Sequence, residues 1–334
     1  MAVFSVLDLA PIVQGGTAAE AFHRSVDLAR HAEQWGYRRF WLAEHHSMPG
    51  VASAATSVVI AHVAAGTSTI RVGAGGIMLP NHSPLLIAEQ FGTLESLYPG
   101  RIDLALGRAP GSDQLTAIAL RRTNAAADAF PQDVAELIAY FREPEQGQEV
   151  VAVPGAGLRV PIWILGSSMF GAQLAAYMGL PFAFASHFAP AYLMPAIETY
   201  RSRFQPSEFL ERPYLMLGAS VIAADSDAEA RRLFTSFQQS FISMRRGRPI
   251  QFPPPVDELK IQLSPLERAQ FEPILGNAIV GSPLTIRARV DKFIDETGAN
   301  ELIISSQIYD HAARLRSYEI VSELQGDDAP SRTV

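Results

Sequence analysis

The chain has 334 residues, 48% hydrophobic and 18% charged, with a formal net charge of −7 and no cysteine. That size allows one large α/β domain or two smaller ones, and the acidic balance, with a pI near 5.6, excludes a polyanion such as nucleic acid as main partner, because phosphate backbones need a clustered positive field. The lack of cysteine excludes disulfides, thiolate catalysis and Cys-ligated metal centres.

No basic segment leads into an apolar core at the N-terminus, and Asp8 interrupts the first apolar run, so a secretory signal is not expected. Residues 51–70, an uncharged stretch, are broken by His62, Gly66 and several Ser and Thr, too polar to span a bilayer. The expectation is a cytoplasmic protein without membrane contact.

In chain order, short β-rich runs fall at residues 4–9, 37–43, 70–74, 101–107, 161–165, 181–185, 215–222 and 301–305. Five of them follow a glycine that closes a segment of helical periodicity: Gly36, Gly66, Gly100, Gly179 and Gly298. Glycine suits the left-handed position just past a helix end. The runs are continuously apolar, as strands of a parallel sheet covered on both faces are. Eight βα units in one chain favour a closed (β/α)8 TIM barrel over an open doubly wound sheet. Residues 1–324 are therefore expected to form one barrel domain. Insertions are expected at about 109–160, after strand 4, with a helix near residues 128–141, and at about 247–282, after strand 7, with a short helical piece near 265–271. Residues 325–334 are expected to be a flexible tail.

Active sites of such barrels lie at the C-terminal strand ends. Reading the residues that follow each run gives one rim: 8–11, Glu44, His45, His46, 74–76, Gly107 to Pro110, 166–168, Ser186, His187 and 305–307. Three features point to a planar anionic ligand. Ser167 and Ser168 stand between a strand and a helix start, where amides and hydroxyls can hold a phosphate; Arg108 can add a fixed charge; and Gly73, Ala74, Gly75 and Gly76 leave a wall against which a flat ring can lie. Neighbouring strand residues point to opposite faces, so one of His45 and His46 is expected at the barrel mouth and the other in a structural role. Glu44 is suited to orienting an imidazole. A metal-dependent hydrolase using Glu44 with His45, His46, His82 or His187 is an alternative, disfavoured because adjacent histidines diverge.

These residues resemble the bacterial luciferase-like, flavin-dependent monooxygenases. The matching pieces are residues 40–46 with their Glu-His-His, 73–84, 98–108, 162–168 and 179–188, in order over most of the chain, and the likeness is greater to uncharacterised bacterial members than to luciferase. The resemblance implies reduced FMN delivered by a separate NAD(P)H:flavin reductase, O₂ activated as a flavin C4a-peroxide, and oxidation of a small organic molecule such as an aldehyde. It implies His45 as the catalytic histidine, Glu44 near the flavin, a non-prolyl cis peptide at Gly75-Gly76 with Ala74 beside it, and Arg108, Ser167 and Ser168 on the FMN phosphate. It also implies a mobile lid over residues 247–282. Gly107 stands where luciferase has a reactive cysteine, so light emission is not implied. Some relatives carry hydride on F420, which would make the chain a reductase or dehydrogenase. A non-catalytic flavin-binding protein is a further reading. The apolar helices after the second and third strands fit a homodimer.

Overall fold

The computed structural model describes residues 3–109, 114–121 and 127–324; Pro110 of the expected rim and the tail from residue 325 lie outside them. All eight expected strands are present. They are β1 (Val3–Asp8), β2 (Arg39–Leu42), β3 (Arg71–Met78), β4 (Ile102–Gly107), β5 (Ile162–Gly166), β6 (Phe182–Phe184), β7 (Leu215–Ala223) and, after a short β8 (Ile279–Gly281), β9 (Glu301–Ser305). Parallel pairing runs from β1 through β7 in order, then from β7 to β9 and from β9 back to β1. The eight strands close into a (β/α)8 barrel. β8 is an addition to the expected set: three residues are too few to read as a strand, and it forms only because the end of β7, Val221 to Ala223, offers it a partner.

Within these buried runs a two-residue alternation survives. Phe40, Leu42, Val72 and Ala74 point outward into the core shared with the helices, while Leu7, Trp41, Ala43, Ala105, Trp163, Ala183, Met216 and Ile303 fill the barrel. Helices α1 (Ala18–Gln34), α2 (Thr56–Ala65), α3 (Pro84–Leu97), α4 (Gln114–Ala119), α5 (Phe130–Phe141), α6 (Met169–Met178), α7 (Leu193–Arg203), α8 (Asp227–Arg245), α9 (Pro265–Gly276), α10 (Pro283–Thr297) and α11 (His311–Ser322) fill the connections. Four of the five helix-closing glycines have the left-handed backbone expected of them, but Gly66 does not, with φ −87°. Its requirement is space: an added Cβ would fall 2.5 Å from Val26 Cγ1 of α1.

The N-terminal end of the barrel is plugged by charge. Arg39 bonds Asp103 at 2.8 Å and Glu301 at 3.1 Å, and Arg71 meets the other Asp103 oxygen at 2.7 Å. Trp41 Nε1 donates to Asp103 at 3.1 Å, and the Tyr214 and Ser5 hydroxyls donate to Glu301. Burial pushes the Asp103 carboxyl up, but Arg39 and Arg71 outweigh that and hold it below the usual carboxylate range. Every charge in the plug is paired, which is the condition for keeping it out of water.

Both expected long connections are present. In the first, α5 packs on α3, and the chain behind it lies so close that a Cβ on Gly92 of α3 would collide with the Pro154 carbonyl. In the second, α9 covers Phe241 of α8 with the buried Phe271, ring edge to ring face at 5.6 Å. The chain before α9 is clipped to the loop after β1 by backbone bonds, Gln14 N–H to Phe252 O at 2.8 Å and Phe252 N–H to Ile12 O at 2.9 Å.

Candidate active site

A cavity of about 350 Å³ opens at the C-terminal end of the barrel, within the usual range for a small-molecule site. Its floor is the apolar barrel interior, where Trp41 and Trp163 meet edge to face at 5.2 Å. Its walls come from the strand ends, and they include His45, Gly75, Arg108, Ser167 and Ser168 of the expected site. Glu44, Ala74 and Gly76 are not among the lining residues.

The placement of Glu44, His45 and His46 follows from where β2 stops. Ala43 still bonds β1 through its N–H to Asp8 O at 3.0 Å, and the chain then leaves the sheet. Glu44, 1% exposed, turns away from the cavity, while His45 lines it. One Glu44 oxygen accepts from the Met78 amide at 3.0 Å; the other faces His46 Nε2 at 2.7 Å and His82 Nε2 at 2.9 Å. Burial pushes this carboxyl up, but the two imidazoles and the amide together hold it below the usual range. With Glu44 ionised, both imidazoles must donate through Nε2. Glu44 therefore ties the loop after β2 to the end of β3.

The same three residues bring their ligand atoms within 4.8 Å of one another, a spacing a divalent ion could use. His45 and His187, named with them in the hydrolase alternative, are not part of that trio.

The glycine wall is narrower than the sequence suggests. Gly75-Gly76 is a cis peptide, as the resemblance implies, but only Gly75 faces the cavity. Its missing Cβ leaves room for Leu7 and Trp41, which would stand 2.8 and 3.0 Å from it, and a Cβ on Gly76 would fall 2.5 Å from Ala105 O. Ala74 is fully buried in the outer core because it is the register partner of Leu42, which also points outward.

Opposite, the Arg108 guanidinium lies 4.0 Å over the Phe170 ring, and no ion pair to a carboxylate is found for it among the described residues. Ser168 is the N-cap of α6, but its side chain makes no capping bond, and Ser167, Ser168, Phe170 and Gly171 at this helix start line the cavity. A cation, two hydroxyls and a helix N-terminus at one end of an apolar slot suit an anionic group attached to a flat body.

His187, expected on the rim and given a part only in the hydrolase alternative, also lines the cavity. Burial pushes its imidazole down to about 4, so it is neutral at pH 7. Its ring lies 4.4 Å from that of Phe188, tilted by 45°, and its Nδ1 packs so tightly against Gly218 that a Cβ there would collide with it. The sequence reading also missed residues of α8, Phe237, Ser240, Phe241 and Met244, which border an adjoining space. Their signal was the spacing of Phe234, Phe237 and Phe241 on one helix face.

The family match and the curated relatives make this closed parallel barrel a flavin-dependent oxidoreductase. The family model of luciferase-like monooxygenases matches residues 2–301, and the chain belongs to that family. A luciferase-like monooxygenase of Escherichia coli (strain K12) is 54% identical over 323 residues, covering 96% of each chain. The crystal structure of apo-MsnO8 superposes with a TM-score of 0.85 at 36% identity, covering 97% of this chain and 98% of that one. The FMN-bound oxygenating constituent of 3,6-diketocamphane monooxygenase, from a Pseudomonas putida plasmid, shares the fold alone, with a TM-score of 0.71 at 20% identity over 97% and 98% of the two chains. Among the described residues no helix is long and apolar enough to cross a membrane.

Proposed function

We propose that the chain is an FMN-dependent monooxygenase of the two-component type, receiving reduced FMN from a separate NAD(P)H:flavin reductase and oxidising a small organic substrate with O₂. The observation that carries this reading is that one largely apolar cavity is lined by His45, Gly75, Arg108, Ser167 and Ser168 together. When bound, reduced FMN supplies the electrons for O₂. The chain's own residues do the rest. Arg108, Ser167 and Ser168 would hold the phosphate, Gly75 would leave its part of the wall free of a side chain, and Trp41, Leu7 and Ile303 would make the inner part of the cavity apolar. His45 moves a proton at the mouth. Glu44 is a positioning residue that fixes the His45 backbone by anchoring its neighbours His46 and Met78.

The reading places the protein in the cytoplasm, and a homodimer is supported by the exposed Val58, Leu86 and Leu97 on α2 and α3. Titration of the purified protein with oxidised and reduced FMN is expected to show saturable spectral change; none at high micromolar flavin would sink the proposal. His45→Ala is expected to slow substrate oxidation by roughly 10²-fold or more while FMN affinity holds. Full activity in that variant would remove His45 from the mechanism.

A further inference from the structure

A second, smaller cavity of about 120 Å³ adjoins the first and shares Leu9, His45 and Phe188 with it. The rest of its wall is mainly Met48, Phe237, Phe241, Met244, Ile250 and Phe252, and among the described residues none that lines it is Asp, Glu, Lys or Arg. Its polar side chains are His45, Ser240 and Gln307. The wall is firmly built. Phe234, Phe237 and Phe241 stack in sequence at 5.7 and 5.9 Å, the backbone clip holds Phe252, and a Cβ on Gly50 would fall 2.7 Å from Ile250 O.

We propose that this second lobe is the substrate site, and that it admits a small, uncharged, apolar molecule while turning away carboxylates and sulfonates. The inference rests on the proposed assignment of the larger lobe to the flavin. An anion entering here would shed its hydration with no cation to replace it, because Arg108 serves only the larger lobe. The volume lies below the roughly 300–1,000 Å³ of sites that hold drug-sized ligands, so the occupant is small. Met48 and Met244 offer flexible thioethers that adapt to more than one shape. His45, standing in both lobes, puts the proton-carrying group where cofactor and substrate meet.

Calorimetric titration of the purified protein with 2-hexanone, hexanoate and hexane-1-sulfonate tests this. The ketone is expected to bind at least about tenfold more tightly than either anion. Ser240→Arg and Met244→Lys each bring a cation to the lobe, and each is expected to move that ratio about tenfold or more toward the anions. Equal or tighter binding of an anion by the unsubstituted protein, or a ratio that neither folded variant moves, overturns the inference. FMN is titrated separately. Loss of FMN binding with the ketone preference intact refutes the cofactor assignment alone, and FMN binding without that preference refutes the uncharged lobe alone.

Discussion

Glu44 has both carboxylate oxygens engaged before any ligand arrives, which makes it a different kind of residue from His45 beside it. Glu44→Gln keeps the shape but offers one acceptor where two imidazoles and an amide need partners. It is expected to cost about 1–3 kcal/mol of stability and to lower kcat more than it weakens FMN binding, as melting curves and steady-state kinetics would show. Arg108, in the proposed function, acts on the ligand directly. Arg108→Ala is expected to weaken FMN by about tenfold or more, the worth of a charge-assisted contact, and to leave riboflavin, which lacks the phosphate, nearly unaffected in a fluorescence titration. The sequence made the Glu-His-His cluster and Arg108 legible because their chemistry is unusual at strand ends. Strand parity alone did not say which of the three faces the cavity, since that depends on β2 stopping at Leu42; the resemblance singled out His45, which lines it. Ala74 could not be excluded from the sequence, because its parity with the outward Leu42 follows from the register, and register is a property of two strands and not of either alone.

At the scale of elements, the strands were readable because each is a short, unbroken apolar run between a helix-closing glycine and a polar rim. β8 was not, being a strand only by virtue of its partner. The aromatic stripe of α8 carries helical spacing, yet nothing local tells a core stripe from a cavity wall; its partners, Phe271 and the chain near Phe252, come from the long second connection. The first connection is locked by close backbone approach. Gly92→Ala would gain helix propensity in isolation, but the Pro154 carbonyl occupies the space. The expected net effect is a loss of about 1–3 kcal/mol, seen as a lower Tm with the α3–α5 region exchanging amide hydrogens faster. An unchanged Tm would show that residues 154–155 are free to retreat.

For the whole molecule, acid stability should fall in two stages. The first involves His187 and His311, whose folded pKa values burial lowers. A histidine held neutral in the fold contributes stability that is full above its unfolded value of about 6.5 and is lost as pH drops from there toward the folded value, about 4 for His187. The second involves Asp103 and Glu44, whose folded values are lowered. Their contribution is full above the unfolded range near 4 and disappears as pH falls through the folded values below it. Melting temperatures measured from pH 7 to 3 are expected to show both stages, and His187→Asn is expected to flatten the first. The clip between Phe252 and the loop after β1 has a different kind of consequence. Because its bonds are backbone to backbone, the side chains at Ile250 and Phe252 can be exchanged without loosening the roof they hang from. The cradle of Arg108, Ser167 and Ser168 stands on other strand ends and does not notice. On the proposed division of the two lobes, substitutions at Ile250 and Phe252 would change substrate preference and leave FMN affinity as it was.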